Sequence, residues 1–224
     1  MNGFQMKVLA CACMFIDHVG VIFFPQEIFL RVIGRLSFPL FAWLLATGFL
    51  HTRNVFRYLR RLIFCAVLLQ IPYSAYFKDF YLNIFFTLFL GLAAIYLYRA
   101  TSNQVKGFGA VFLIALFSEL IQADYGFYGV LSIFLFYFFY TDFKKMVLSQ
   151  GLLNMVDLGL AAFAAGWRLS NISSVDLVQP FSLGALFFIF WYNGQRGRNL
   201  KYTFYIFYPA HLVFLYGIKL LLAY

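Results

Sequence analysis

The sequence predicts an all-α, polytopic transmembrane helix bundle of about nine spans, with its N-terminus in the cytoplasm. Three observations carry this. Of 224 residues, 64% are hydrophobic and 11% are charged, whereas a soluble domain is roughly half apolar and about a quarter charged. Mean hydropathy is +0.84, and apolar runs near the ~20 residues needed to cross a bilayer recur along the chain. Finally, Lys and Arg gather on alternate loops, as the positive-inside rule describes.

The candidate spans are residues 6–24, 29–50, 56–77, 81–99, 108–122, 125–141, 147–167, 178–192 and 202–223. The first has no small-residue cleavage site and reads as a retained span rather than a removed signal peptide. The fifth and sixth are short, and only Ala123 and Asp124 separate them. They read either as two full spans or as a re-entrant hairpin. No internal repeat stands out, and no linker rich in Pro, Gly or Ser divides the chain. Residues 1–224 therefore read as a single integral membrane domain.

One side collects most of the basic residues: Lys7; Arg53, Arg57, Arg60 and Arg61; Arg99 and Lys106; Lys144 and Lys145; Arg196, Arg198 and Lys201. The other side holds Arg31, Lys78, Arg168 and Lys219, along with Glu27, Asp79, Asp124 and Asp176. This bias places the N-terminus inside and the C-terminus outside. The net charge of +9 is accounted for by topology and anionic lipid contact, so nucleic acid is not an expected partner. Cys11, Cys13 and Cys65 lie in apolar spans and read as small buried hydrophobes. Cys11 and Cys13 point to divergent helix faces, and the three His are scattered, so no metal site is expected.

Ionisable groups at membrane depth are expensive and usually functional. The first span holds Asp17 and His18, and the second holds Arg35. His18 lies about 18 Å from the start of its span at 1.5 Å per residue. Lys7 is eleven residues earlier, three turns plus about 20°, so the two share a helix face about 16 Å apart. A ligand with an anionic head and a long neutral arm suits that separation, and coenzyme A has that shape. Asp17 is the nearest intramembrane candidate to pair with Arg35, since the first two spans form a hairpin. Arg35 reads as a structural ion pair, as a cation that stabilises a developing oxyanion, or as both. Pro39 follows it and frees a backbone carbonyl.

His51, Arg53, Asn54, Arg57, Arg60 and Arg61 form a basic cluster where the second span gives way to the third. It reads as an inside-positive flank or as a phosphate site suited to the Arg fork. Gln70, Asn83 and Thr87 read as interhelical glue. Glu119 and Asp157 are candidates to pair with Arg35 or a histidine. Asp124-Tyr125-Gly126 marks a turn. His211 follows Pro209 near mid-span, where the interrupted ladder opens the backbone toward a ligand.

Five stretches, FIDHVGVIFF, RVIGRLSFPLFAWLLATGFLHTRN, NIFFTLFLGL, ADYGFYGVL and YNGQRGRNLKYTFYIFYPAHL, resemble the TraX family in order and over nearly the whole chain. The resemblance implies a polytopic protein of the bacterial inner membrane, concerned with N-terminal acetylation of pilin subunits or related fimbrial assembly. Lys7-x10-His18 is also similar to the Arg/Lys-x10-His motif of the acyltransferase-3 group of membrane acyltransferases. RLSFPLFAWLLATGF looks like the second span of the more distant heparan-alpha-glucosaminide acetyltransferase. That likeness implies His18 as the catalytic histidine and Lys7 as a contact to the donor's phosphates.

The expected activity is acetyl transfer from cytoplasmic acetyl-CoA, as co-substrate, to an acceptor amine or hydroxyl. The acceptor would be a pilin subunit, an envelope glycan or a small amphiphile. His18 would be the general base, Asp17 would orient it or polarise the acceptor, and Arg35 would stabilise the oxyanion. His211 would lie near the acceptor. Lys7 and the cluster of His51, Arg53, Asn54, Arg57, Arg60 and Arg61 would hold the donor. The alternatives are a small transporter or channel using Asp17, His18, Arg35 and Glu119, or a non-catalytic pilus-assembly factor.

Overall fold

The computed structural model describes residues 1–77, 81–168, 171–198 and 201–222, excepting the side chains of 75–77 and 201–205. Lys78, Asp79, the Lys201 side chain and the last residue of the ninth candidate span lie outside the described residues. The elements are α1 (Gly3–Phe23), α2 (Ile28–Gly34), α3 (Ser37–Leu50), α4 (Val55–Phe77), α5 (Ile84–Ala100), α6 (Gln104–Leu120), α7 (Gly126–Phe138), α8 (Phe143–Ala164), α9 (Ser174–Val178), a 3-10 turn (Gln179–Gly184), α10 (Ala185–Phe190) and α11 (Lys201–Leu222).

Taking α2–α3 and α9–α10 each as one interrupted segment, the helices follow the nine candidate spans in order. Among the described residues, Gly3–Phe23, Ile28–Leu50 and Phe143–Ala164 are long and apolar enough to cross a membrane. Ile84–Ala100, Gly126–Phe138, Ser174–Phe190 and Ile206–Leu222 are shorter apolar helices. The chain divides into two compact units, one of residues 1–41 with 143–224, the other of 42–142.

In the first unit, α1 starts with a capping box. Asn2 Oδ1 accepts from Gln5 N at 3.0 Å, and Gln5 Oε1 accepts from Asn2 N at 2.9 Å. The pair satisfies two of the donors that every helix start leaves open. Helices α1 and α2 form a close hairpin because small residues let the backbones approach. A Cβ on Gly20 would come within 2.8 Å of Leu30 Cβ, and one on Gly34 would overlap the Asp17 side chain. Ser37 Oγ ties α3 to α1 by donating to Ala10 O at 2.9 Å.

The second span is interrupted at Arg35 and Leu36. Pro39 lies in the first turn of α3, where a missing N–H leaves no gap in the helix ladder. The expected backbone opening is thus a helix break at Arg35. Pro209, by contrast, lies inside α11, which continues through it. Two contacts, Gly3 N to Gln195 O at 2.8 Å and His211 to His18 at 2.9 Å, advance together along both segments. Helix α11 therefore runs parallel to α1. On the far side of α2, α8 meets the 3-10 turn through Ser182 Oγ, which donates to Asn154 Oδ1 at 3.1 Å.

The second unit packs α4 on α5, and α5, α6 and α7 on one another. Asn83, fully buried, caps α5 by accepting from Phe85 N at 3.0 Å. Its amide also reaches Ala66 O at 2.8 Å and Gln70 Oε1 at 2.9 Å. Thr87 Oγ1 donates to Asp124 O. These residues are the interhelical glue expected of them.

Residues 108–122 and 125–141 form two helices packed on each other, joined by a turn with positive φ at Gln122, Tyr125 and Gly126. Glu119 is exposed on α6, and its Oε2 accepts from Phe127 N at 2.9 Å, capping the start of α7. From the sequence Glu119 reads as a candidate partner for Arg35 or a histidine; the contact seen is with the open N–H groups of α7, which a carboxylate satisfies well. Gly126 is required in this turn, because at φ +35 a Cβ would overlap Glu119 Oε2.

Candidate functional site

Adjacent positions on a helix differ by about 100°, and α1 uses this to send Asp17 and His18 in different directions. Asp17 faces α2. Its Oδ2 accepts from Arg31 NH1 at 2.7 Å, and its Oδ1 lies 3.6 Å from Arg35 NH2. The expected Asp17–Arg35 pair is present, but the shorter contact belongs to Arg31. Arg31 precedes Arg35 by one helical turn and so shares its face, a signal readable in the sequence. Arg35 NH1 also donates to Gln179 Oε1 at 3.2 Å. An Arg only donates, so this contact fixes the Gln179 amide with its oxygen toward Arg35. Gln179 comes from the 3-10 turn, and no sequence pattern announces it. Its Nε2 is buried with no hydrogen-bond partner among the described residues.

His18 faces α11. His211 Nδ1 lies 2.8 Å from Phe207 O, and His211 Nε2 lies 2.9 Å from His18 Nδ1. A carbonyl can only accept, so His211 Nδ1 carries a proton. In the neutral pair His211 Nε2 is then the acceptor, and His18 Nδ1 carries the proton between the rings. The basic nitrogen of His18 is therefore Nε2, an assignment made from the hydrogen-bond network.

Aromatic rings wall the pair. Phe207 stacks on His211 at 4.9 Å, and Tyr208 meets both histidines edge-on at 6.4 and 5.5 Å. His211 is 4% exposed and His18 is half-buried. The positive charges of Arg31 and Arg35 act on His18.

Lys7 is half-buried on α1, one turn after Gly3, whose N–H donates to Gln195 O at 2.8 Å. The basic cluster lies in the other unit. His51 Nδ1 contacts Thr47 O at 2.8 Å, and Asn54 Oδ1 accepts from Arg57 N at 2.8 Å as a cap for α4. Arg61 lies over the Tyr58 ring at 5.3 Å, while Arg53, Arg57 and Arg60 are exposed. Asp157 is half-buried on α8. Among the described residues, no group of three His, Cys, Asp or Glu is arranged to hold a metal ion.

The arrangement pairs a base of defined tautomer with a neighbouring positive field, which is the equipment for proton abstraction beside a developing negative charge.

Comparison with known proteins gives the lineage. The chain is 30% identical, over an alignment of 246 positions, to the "Probable fimbrial assembly protein FimC, serogroup H1" of Dichelobacter nodosus, covering 99% of this chain and 97% of that one. It is 33% identical over 126 residues to "Uncharacterized protein RP591" of Rickettsia prowazekii (strain Madrid E), covering 54% and 49% of the two chains. No solved structure matches. The model of the TraX protein family matches residues 2–219, and with its apolar helices the chain is a membrane protein that belongs to the TraX family.

Proposed function

We propose that this protein is an integral acetyltransferase of the bacterial inner membrane, moving an acetyl group from acetyl-CoA to an acceptor amine or hydroxyl. The observation that carries the reading is the Phe207–His211–His18 hydrogen-bond chain, which makes His18 Nε2 the basic nitrogen. His18 shares a face of α1 with Lys7, about 16 Å away along the helix. That spacing suits an anionic donor head at Lys7 and a thioester near His18.

In the transfer, the acceptor nitrogen or oxygen attacks the thioester carbonyl and forms the new bond to carbon. Its proton passes to His18 Nε2. The oxyanion develops in the field of Arg31 and Arg35, which stabilises it. The carbon–sulfur bond then breaks, and the proton held by His18 passes to the departing thiolate. Asp17 keeps the two arginines in place rather than orienting His18, in keeping with its contacts. The fimbrial assembly role in the name of the Dichelobacter relative favours a pilin subunit as acceptor.

The test is transfer of labelled acetyl from acetyl-CoA to membrane acceptors by the purified protein in proteoliposomes. His18→Ala is expected to abolish turnover while helical content and elution are unchanged. Substantial residual turnover in that variant would sink the mechanism. Saturable flux of a solute without acyl transfer would establish the transporter reading instead.

A further inference from the structure

Two interrupted helical segments meet in the first unit. One breaks at Arg35 and Leu36, between α2 and α3. The other, Ser174–Phe190, breaks at Gln179, where α9 gives way to the 3-10 turn. Pro180 follows Gln179 and has no N–H with which to continue the ladder of α9. Helix α2 packs on both α9 and the 3-10 turn, and the two breaks touch through Arg35 NH1 and Gln179 Oε1 at 3.2 Å. Broken helices at membrane depth persist where they are buried in protein or line a cavity, and in other membrane folds they hold ligands.

The open valence at this junction is a donor. Arg35 and Gln179 are each 7% exposed. Gln179 Oε1 is spent on Arg35, while Nε2, with its two N–H donors, is buried without a hydrogen-bond partner among the described residues. A buried donor left open is costly, and an oxygen from a ligand removes that cost. The guanidinium groups of Arg31 and Arg35 lie on either oxygen of Asp17, so the field here favours an oxygen that gains negative charge. Two contacts, Gln179 to Arg35 and Arg35 to Asp17, tie the open donor to the turn of α1 that carries His18.

We propose that Gln179 is a catalytic residue, whose Nε2 donates to the carbonyl oxygen of the acetyl group in transfer and holds it as it becomes the oxyanion. The role rests on the acetyltransferase reading. No proton moves in this step. The N–H stays on Gln179, and the hydrogen bond strengthens as the carbonyl electrons move onto oxygen. A fixed, uncharged donor adds direction to the field of the two arginines. A carbonyl of the acceptor offers the same oxygen chemistry, and the experiment separates the two.

Wild type, Gln179→Glu and Gln179→Met are compared as full chains in proteoliposomes, with elution and helical content to show that each is folded. Glutamate keeps an oxygen for Arg35 and removes the donor, whereas methionine keeps the reach and removes both. Steady-state transfer is measured together with the infrared difference spectrum of bound acetyl-CoA carrying an isotope-labelled carbonyl. Both variants are expected to lose about 10²–10³ in kcat, the usual cost of one oxyanion donor. The KM for acetyl-CoA should stay within about threefold, the pattern of an interaction made in the transition state. The labelled carbonyl stretch should rise in both variants, because the hydrogen bond that lowers it is gone.

Wild-type kcat in Gln179→Glu overturns the proposal, since the Arg35 contact is then the use of this side chain, and it leaves acetyl transfer standing. A carbonyl stretch that is the same in wild type and both variants overturns it as well, whatever the loss of rate. A raised KM for the acceptor with unchanged kcat assigns Nε2 to an acceptor oxygen and likewise overturns it. Wild type that neither binds acetyl-CoA nor transfers its acetyl group removes the acetyltransferase reading itself, and this role with it.

Discussion

His18 Nδ1 and His211 Nε2 stand 2.9 Å apart although 193 positions separate them in the chain. The contact closes the first helix onto the last. It also makes the two rings unequal: His211 is fixed by Phe207 O, and the ring nitrogen left outside that hydrogen-bond chain is His18 Nε2. In the proposed mechanism His211 is thus a positioning residue and His18 the base.

His211→Ala should therefore lower kcat for acetyl transfer about 10- to 100-fold, with little change in KM for the donor. His211→Gln should recover part of the loss, because the glutamine oxygen can accept from His18 Nδ1–H as the imidazole did. Steady-state kinetics in proteoliposomes check this. An equal loss in both variants would mean that His211 contributes packing alone.

Breaking the Asp17–Arg31 contact should be strongly destabilising. Asp17 and Arg31 side chains are 16% and 18% exposed, and removing one partner of a largely buried pair costs about 3–5 kcal/mol. Asp17→Asn should lower the midpoint of thermal unfolding in detergent clearly. Pairing it with Arg31→Gln should recover part of the loss, which a double-mutant cycle reads directly.

Gly34→Ala should separate α1 from α2. The added Cβ overlaps Asp17, and relief requires the helices to move. Overpacking of this kind costs about 1–3 kcal/mol. The expected outcome is a lower unfolding temperature together with reduced transfer, since Asp17 and His18 share one turn. Unchanged stability would mean that the hairpin is looser than its backbone approach indicates.

Asn83→Ala should destabilise the second unit. The side chain is fully buried and makes contacts to Phe85 N, Ala66 O and Gln70 Oε1. Each buried partner left without its hydrogen bond costs about 1–3 kcal/mol. Protection of α4 and α5 amides in hydrogen exchange is the measurement.

Glu119→Gln should leave acetyl transfer within about twofold, because Glu119 caps α7 and its replacement retains an acceptor oxygen. A large loss of function without loss of fold would support a transport path through this carboxylate.

The stretches that resemble the family divide into two kinds when set against the structure. ADYGFYGVL and the Asn83–Thr87 segment hold backbone together: Gly126 makes room for Glu119, Asn83 caps a helix, and Thr87 grips a turn. The FIDH and YPAH segments meet at the histidine pair. The helical nature of the chain, the order of its segments and the Asp17–Arg35 pair were legible, because hydropathy and charge at membrane depth are local properties of a sequence. Arg31 was legible in principle from its spacing to Arg35 but reads first as a loop-side cation.

By itself, then, the sequence determined an α-helical membrane protein with ionisable groups inside its first two spans, since bilayer length and desolvation act on each segment independently. Only the tertiary structure decided that His18 turns to His211 while Asp17 turns to Arg31, and that Gln179 joins Arg35. Those choices depend on which helices pack together and at what rotation, and that is set by contacts between residues far apart in the chain.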